Sequence, residues 1–220
     1  MLMLPSGVGK MKSKPKFTEV FSKKTEVNWL SAARFFLFGS RDVWFVVGLP
    51  VFLYSVLGWS FTQVGGFFAF WVIGYGIVQA SAPKLLRRSH HGSGPGGSTA
   101  RVWAFVLALL PMGIAIALAQ GWDPQLVVVL GLVLFGIAFA INSAVHSYLI
   151  LAYSDFDKVS MNVGFYYMAN AGGRLTGTVL SGWAYQQYGL EGCLWWSAAF
   201  VVLTLILSLK LPEVSARAQA

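Results

Sequence analysis

The chain has 220 residues, of which 56% are hydrophobic and 11% are charged, and its mean hydropathy is +0.65. Soluble domains carry about a quarter charged residues, so this composition excludes an ordinary soluble protein and predicts helices packed in a lipid bilayer. Its single cysteine, Cys193, excludes an internal disulfide and a thiolate metal site. We expect no metal and no cofactor.

The predicted fold is an all-α integral membrane protein. Residues 1–27 contain six lysines and no signal-like apolar stretch, which predicts a flexible basic cytoplasmic leader. Residues 28–211 predict a six-helix domain, because a crossing needs about 20 apolar residues and there are six such windows. The windows are 29–57, 61–82, 102–119, 126–151, 161–183 and 192–209, with turns expected at Gly58, Pro83, Gly121 and Gly189. Residues 212–220 predict a cytoplasmic tail.

The positive charge is distributed by side. Thirteen of the sixteen basic residues fall in the leader, the second and fourth connections and the tail, and the opposite connections hold none. The positive-inside rule therefore predicts that both termini lie in the cytoplasm of an inner (plasma) membrane protein. This distribution explains the net charge of +8 by topology and does not predict a nucleic-acid partner.

The third and sixth windows contain no charged residue and are expected to face lipid. Two trios, each with an apolar third helix, predict two inverted three-helix repeats. The fifth window contains Gly173 and Gly177 at the spacing that lets helix backbones approach closely. Four glycines of the second window are expected to pack in a similar way: Gly65, Gly66, Gly74 and Gly76.

Windows one, four and five contain all the intramembrane ionisable groups, which normally face a bundle interior or an aqueous cavity because of their cost in lipid. Depth, counted at about 1.5 Å per residue, predicts a shallow layer of Arg34, His146 and Tyr166 and a deeper layer of Arg41, Arg174 and Asn142. Asn170 shares a helical stripe with Arg174.

Arginine offers a fixed fork of donors for carboxylate and phosphate, so an anionic substrate is expected. The candidate substrate-binding residues are Arg34, Arg41, Arg174, Asn142, Asn170 and Tyr166. Asp42 and His146 are the candidate proton-coupling residues. Two alternatives stay open: Asp42 as the structural ion-pair partner of Arg41 or Arg174, and His146 as a packing residue.

Two segments resemble a known family. LSAARFFLFGSRDVWFVVGLPVFLYSVLGWSF, residues 30–61, and KVSMNVGFYYMANAGGRLTGTVLSGWAYQQYG, residues 158–189, are similar to helices seven and eleven of organoarsenical efflux transporters of the major facilitator superfamily. This resemblance implies a C-terminal six-helix half whose leader corresponds to the central loop. It further implies export of an arsenate ester of phosphoglycerate, and a functional link to glyceraldehyde-3-phosphate dehydrogenase, which makes that ester.

The resemblance implies a partner as well, either an N-terminal six-helix half or a second copy, since the superfamily's site lies between two halves. One alternative is a major facilitator half that exports another organic anion. Another is a non-transporting structural or truncated membrane protein. An enzyme is not expected, because the windows contain no paired carboxylates and no nucleophile with a base at usable spacing.

Overall fold

A computed structural model describes residues 24–89, 94–155 and 158–214. The described residues form six helices and their connections, with no strand among them. The helices are α1 (Thr25–Phe45), α2 (Gly48–Ser55), α3 (Phe61–Ser89), α4 (Gly97–Ala119), α5 (Pro124–Tyr153) and α6 (Val159–Ser208). Most of the predicted leader, residues 1–23, and the end of the tail, residues 215–220, lie outside the described part.

Five helical units are long and apolar enough to cross a membrane, with α1 and α2 taken together and α6 taken whole. This confirms the all-helical, membrane-compatible character that the composition predicts. Gly58 and Gly121 have positive φ of 69° and 77° in the turns before α3 and α5, as expected. The turn predicted at Pro83 is wrong: Pro83 lies inside α3, which continues to Ser89. Proline is tolerated there because neighbouring groups in a helical bundle can satisfy the freed carbonyl.

The first window is broken between α1 and α2, a feature that the sequence analysis missed. The helix ends at Phe45 and restarts at Gly48, whose backbone N–H donates to Ser181 Oγ of α6 at 3.1 Å. Pro50 lies in the first turn of α2, where its missing N–H costs nothing. At the break, the Gly48 N–H forms a hydrogen bond to α6 in place of one within its own helix.

The long helix α6 reverses direction at Gly189, whose φ of 65° and ψ of −161° are non-helical. Cys193 Sγ lies 3.6 Å from the carbonyl oxygen of Ser181, twelve residues earlier. Along a continuous helix those residues would be separated by about 18 Å. Residues 159–188 and 190–208 therefore pack against each other, and the turn predicted at Gly189 is confirmed.

The first part of α6 crosses α1 at backbone distance. A Cβ on Gly173 would overlap the carbonyl oxygen of Phe35, and one on Gly177 would lie 2.6 Å from that of Gly39. The close approach predicted from these two glycines is confirmed. The same expectation for the second window is wrong within this chain, because a Cβ on any of its four glycines would meet no atom within 4 Å.

Exposure differs strongly between the helices. Only 11% of the apolar stretch of α3 is buried, against 33% for α4 and 61% for α5. Of these three helices α3, which corresponds to the second window, is the most exposed, and the third and sixth windows also expose apolar side chains such as Phe105 and Ile206. The reason is position: α3 packs mainly on one side of α5, whereas α4 lies against both α5 and α6.

Candidate functional site

Asp42 is the centre of an ion cluster at the crossing of α1 and α6. Its side chain is 1% exposed, and its two oxygens bind different arginines. Arg41 Nε and Nη2 each lie 2.6 Å from Oδ1, and Arg174 Nε lies 3.0 Å from Oδ2. We call Arg41, Asp42 and Arg174 the Asp42 triad; its two guanidinium groups and one carboxylate leave one net positive charge.

The glycine crossing explains how the Asp42 triad assembles. Gly177 lies one helical turn after Arg174, and a Cβ on it would be 3.1 Å from Asp42 Cβ. Only a residue without a side chain lets α6 approach α1 this closely, and the approach brings Arg174 within hydrogen-bond distance of a carboxylate on another helix. The structure thus pairs Asp42 with both arginines that the sequence offered as alternatives.

The two arginines of the triad differ in exposure. The side chain of Arg41 is 13% exposed and that of Arg174 is 56% exposed. Arg174 donates to Asp42 through Nε, so its Nη1 and Nη2 atoms have no partner among the described residues. Around it, a strip of α6 is between 53% and 68% exposed; this α6 open face consists of Tyr167, Met168, Leu175 and Val179 together with Arg174.

Arg34 forms a second cluster, between α1, α5 and α6. It is 4% exposed, and its Nη1 donates to the carbonyl oxygen of Ser143 at 3.2 Å and to the Ser143 hydroxyl at 3.1 Å. The aromatic ring of Tyr166 lies 4.8 Å from its Cζ. Arg34 forms no ion pair with a carboxylate of the described residues, so its charge is stabilised by dipoles and aromatic faces.

The two clusters share an aromatic wall. Arg34 Cζ lies 4.0 Å and Arg41 Cζ 5.2 Å from the ring centroid of Phe38. Arg41 Cζ also lies 5.4 Å from the ring of Phe139 on α5. Cation–π contact stabilises a guanidinium by about 0.5–2 kcal/mol, more when water is excluded. The rings of Phe38 and Phe139 therefore stabilise the two guanidinium groups without cancelling their positive charge.

Asn142 and His146 lie one turn apart on α5 and are fully buried. Neither the Asn142 amide nor either His146 ring nitrogen has a hydrogen-bond partner within the described part of the chain, and Asn170 Oδ1 has none. The structure places Arg34 against the ring of Tyr166, and it brings Arg41 and Arg174 to the two oxygens of Asp42. Arg34, which the sequence analysis names as a substrate-binding candidate, is enclosed and bonds α1 to Ser143 of α5.

Sequence reasoning missed Ser143 and Phe38. A serine in an apolar helix usually bonds its own backbone, and a phenylalanine in such a helix is indistinguishable from lipid-facing or core residues. The spacing of Arg34, Phe38 and Arg41 was a usable signal, because residues four and three apart share a helix face.

No group of three or more His, Cys, Asp or Glu side chains is placed to hold a metal ion in ranges 24–89, 94–155 and 158–214. No protein-family model matches the sequence, and the search of curated proteins finds no significant match.

Proposed function

We propose that this chain is one half of a secondary transporter of the major facilitator type that exports an organoarsenical anion, the arsenate ester of phosphoglycerate. The observation that carries the proposal is Arg174, a half-exposed arginine in the middle of an apolar open face. An arginine exposed to lipid costs at least about 2.5–3.5 kcal/mol. The α6 open face is therefore covered by water, by an anion or by a second six-helix unit.

Six crossings are part of the proposal, with α6 crossing twice. At 1.5 Å per residue, residues 159–188 extend about 45 Å and residues 190–208 about 28 Å, while the hydrocarbon core is about 30 Å thick. Arg174 lies fifteen residues after Val159 and fifteen before Gly189, so in the proposed topology it is near the midplane.

This topology is tested with single cysteines in a Cys193→Ser background and a membrane-impermeant maleimide. We expect Gln120→Cys and Glu191→Cys to label from one side and Lys210→Cys from the other. Gln120 and Glu191 lie at turns on the same side in the proposed topology, and Lys210 follows one further crossing by residues 190–208. Labelling of Glu191→Cys and Lys210→Cys from the same side would mean that α6 does not cross twice.

The substrate class follows from the free donors of the Asp42 triad. The Nη1 and Nη2 groups of Arg174 form a fork of the kind that binds phosphate, arsenate or carboxylate oxygens in pairs. Asp42 neutralises one of the two positive charges of the triad, so a bound anion would neutralise the other. The organoarsenical identity rests on the resemblance of residues 30–61 and 158–189. Another organic anion on the same site is the first alternative.

A structural subunit is the second candidate, and one observation favours it. Asp42 already accepts from both Arg41 and Arg174, so the triad can hold α1 to α6 without any ligand. Under this alternative, loss of Arg174 affects assembly alone.

The test is the arsenic retained by arsenate-treated cells that express the chain with the N-terminal half of an organoarsenical efflux transporter. Arg41→Lys and Arg174→Lys should each raise retention strongly, because lysine keeps the charge but loses the fork, at about 1.5–3 kcal/mol per charged hydrogen bond. Arg101→Lys is the matched control, since Arg101 pairs with Glu213 at the end of the helix bundle. Wild-type retention by both triad variants, with normal protein levels, would favour the structural alternative.

A further inference from the structure

The segment that follows α6 turns back across the ends of two other helices. The Pro212 carbonyl oxygen accepts from the Tyr153 hydroxyl, at the end of α5, at 2.6 Å. The same oxygen accepts from the backbone N–H of Gly97, the first residue of α4, at 3.2 Å. We call residues 211–213 the α6 latch, because they connect the end of α6 to both helices.

Glu213 supplies the cap that the sequence around the start of α4 lacks. The first N–H groups of a helix have no partner within it, and Gly96 at the N-cap has no side chain to accept from them. Glu213 Oε1 accepts from the Ser98 N–H at 2.7 Å, and Oε2 accepts from the Ser98 hydroxyl at 3.1 Å. The helix dipole also favours a carboxylate at this position. The cap of α4 therefore comes from a residue 115 positions later.

Two glycines make room for the α6 latch. A Cβ on Gly97 would overlap the Leu211 carbonyl oxygen, and a Cβ on Gly96 would overlap Glu213 Oε2. A residue with a side chain at either position would therefore displace the latch from the start of α4. The backbone of α4 begins with the two residues that let this segment approach closely.

The two ends of the α6 latch differ in burial. Leu211 is 2% exposed and belongs to the same hydrophobic cluster as Leu86 of α3 and Ala100 of α4. The ion pair between Glu213 and Arg101, at 3.1 Å, joins side chains that are 58% and 32% exposed. An exposed ion pair is weak and is screened by salt, whereas an enclosed leucine is costly to expose to water. The Glu213 end should therefore open more easily than the Leu211 end.

We propose that the α6 latch opens in two steps and so acts as a salt-sensitive conformational device at this end of the bundle. The outer contact, formed by Glu213 with Ser98 and Arg101, is released first as the ionic strength rises. The inner contact, formed by Leu211 and by the bonds to Pro212, stays closed at that stage. Release of the outer contact uncaps the first turn of α4 while the helices stay packed. The latch is separate from the Asp42 triad and independent of the proposed transport.

Hydrogen–deuterium exchange of the chain in detergent micelles, resolved to single N–H groups by electron-transfer fragmentation, tests this device. Glu213→Ala should accelerate exchange of the Ser98 N–H about tenfold or more, because a hydrogen bond to a charged group is lost. Exchange of the Gly97 N–H should change much less, since its acceptor is the Pro212 carbonyl oxygen. If Glu213→Ala unfolds the bundle, Arg101→Gln removes the other half of the ion pair and should accelerate Ser98 exchange in the same direction.

Glu191→Ala is the matched control. Glu191 is exposed beside the reversal at Gly189 and forms no ion pair with another residue of the described ranges. Residues 190–208 separate it from the α6 latch, so exchange at the start of α4 should keep its wild-type rate in this variant.

Salt provides the second measurement. Raising sodium chloride from about 0.05 M to about 1 M should accelerate exchange of the Ser98 N–H about threefold in the wild-type chain, because the exposed ion pair is screened. The same change of salt should leave the Ser98 rate of Glu213→Ala unaltered, since that variant has no ion pair to screen. Glu191→Ala should respond to salt as the wild-type chain does.

Three results would overturn the two-step opening. Wild-type exchange of the Ser98 N–H in both Glu213→Ala and Arg101→Gln would show that no outer contact protects α4. Equal acceleration at Gly97 and Ser98 in Glu213→Ala would show that the segment leaves as one unit, without a separate inner contact. A Ser98 rate that does not respond to salt in the wild-type chain would show that the ion pair does not control the opening.

Discussion

Removal of the Asp42 charge is the sharpest test of the ion cluster. Asp42 is 1% exposed and Arg41 is 13% exposed, so Asp42→Asn leaves a guanidinium with little access to water. Breaking a buried pair by removing one partner costs about 3–5 kcal/mol. Arg174→Gln differs, because Arg174 is 56% exposed and Asp42 retains both bonds to Arg41. A half-exposed pair contributes about 0–1 kcal/mol, so we expect Asp42→Asn to be the more destabilising by about 2–5 kcal/mol.

The free energy of unfolding in mixed micelles, measured by denaturant titration, gives this difference directly. The double variant Arg41→Met/Asp42→Asn should recover part of the loss, since it removes the stranded guanidinium together with its partner. The reasoning would be refuted if Arg174→Gln destabilised the chain as much as Asp42→Asn. It would also fail if the double variant were less stable than Asp42→Asn alone.

Two further predictions concern helix packing. Gly173→Ala should lower the free energy of unfolding by about 1–3 kcal/mol, because its Cβ overlaps the α1 backbone. Gly182→Ala is the control, and it should be neutral or slightly stabilising because its Cβ would meet no atom within 4 Å. Equal stabilities of the two variants in thermal unfolding would contradict the close crossing of α1 and α6. Arg34→Met should lower that free energy by about 1–3 kcal/mol through loss of the charged bonds to Ser143, and a wild-type unfolding curve would show that Arg34 does not tie α1 to α5.

The sequence predicts those features of the fold that follow from one-dimensional patterns. Apolar windows and glycine turns locate the helices, and the reversal at Gly189 is found because glycine tolerates positive φ. The ion pairing is anticipated in part, since Arg41 and Arg174 were the two partners considered for Asp42 and both bind it. The break before Gly48 is missed because residues 43–53 on both sides of it contain no polar side chain, although Pro50 was a usable signal.

Contacts between residues on different helices are harder to predict, since they depend on how each helix is rotated about its axis and on which helices are neighbours. Small residues on α3 and on α6 look alike in sequence, yet a Cβ on Gly173 would overlap the backbone of α1 and one on Gly76 would meet no atom within 4 Å. The pairing of Arg34 with Ser143 is hidden for the same reason: the hydroxyl lies 109 residues away and carries no charge. Contacts through glycine and serine therefore emerge only with the fold.

The unequal exposure of the two triad arginines shows how Asp42 can stabilise the helix crossing and still leave Arg174 accessible to a ligand. The bond from Arg41 to Asp42 is enclosed and costly to break, whereas the bond from Arg174 lies at the α6 open face and contributes little. Under the proposed function, an incoming anion binds the Nη1 and Nη2 groups of Arg174, while Asp42 keeps its bonds to Arg41 and to Arg174 Nε. The structural and functional interpretations of Asp42 are therefore compatible.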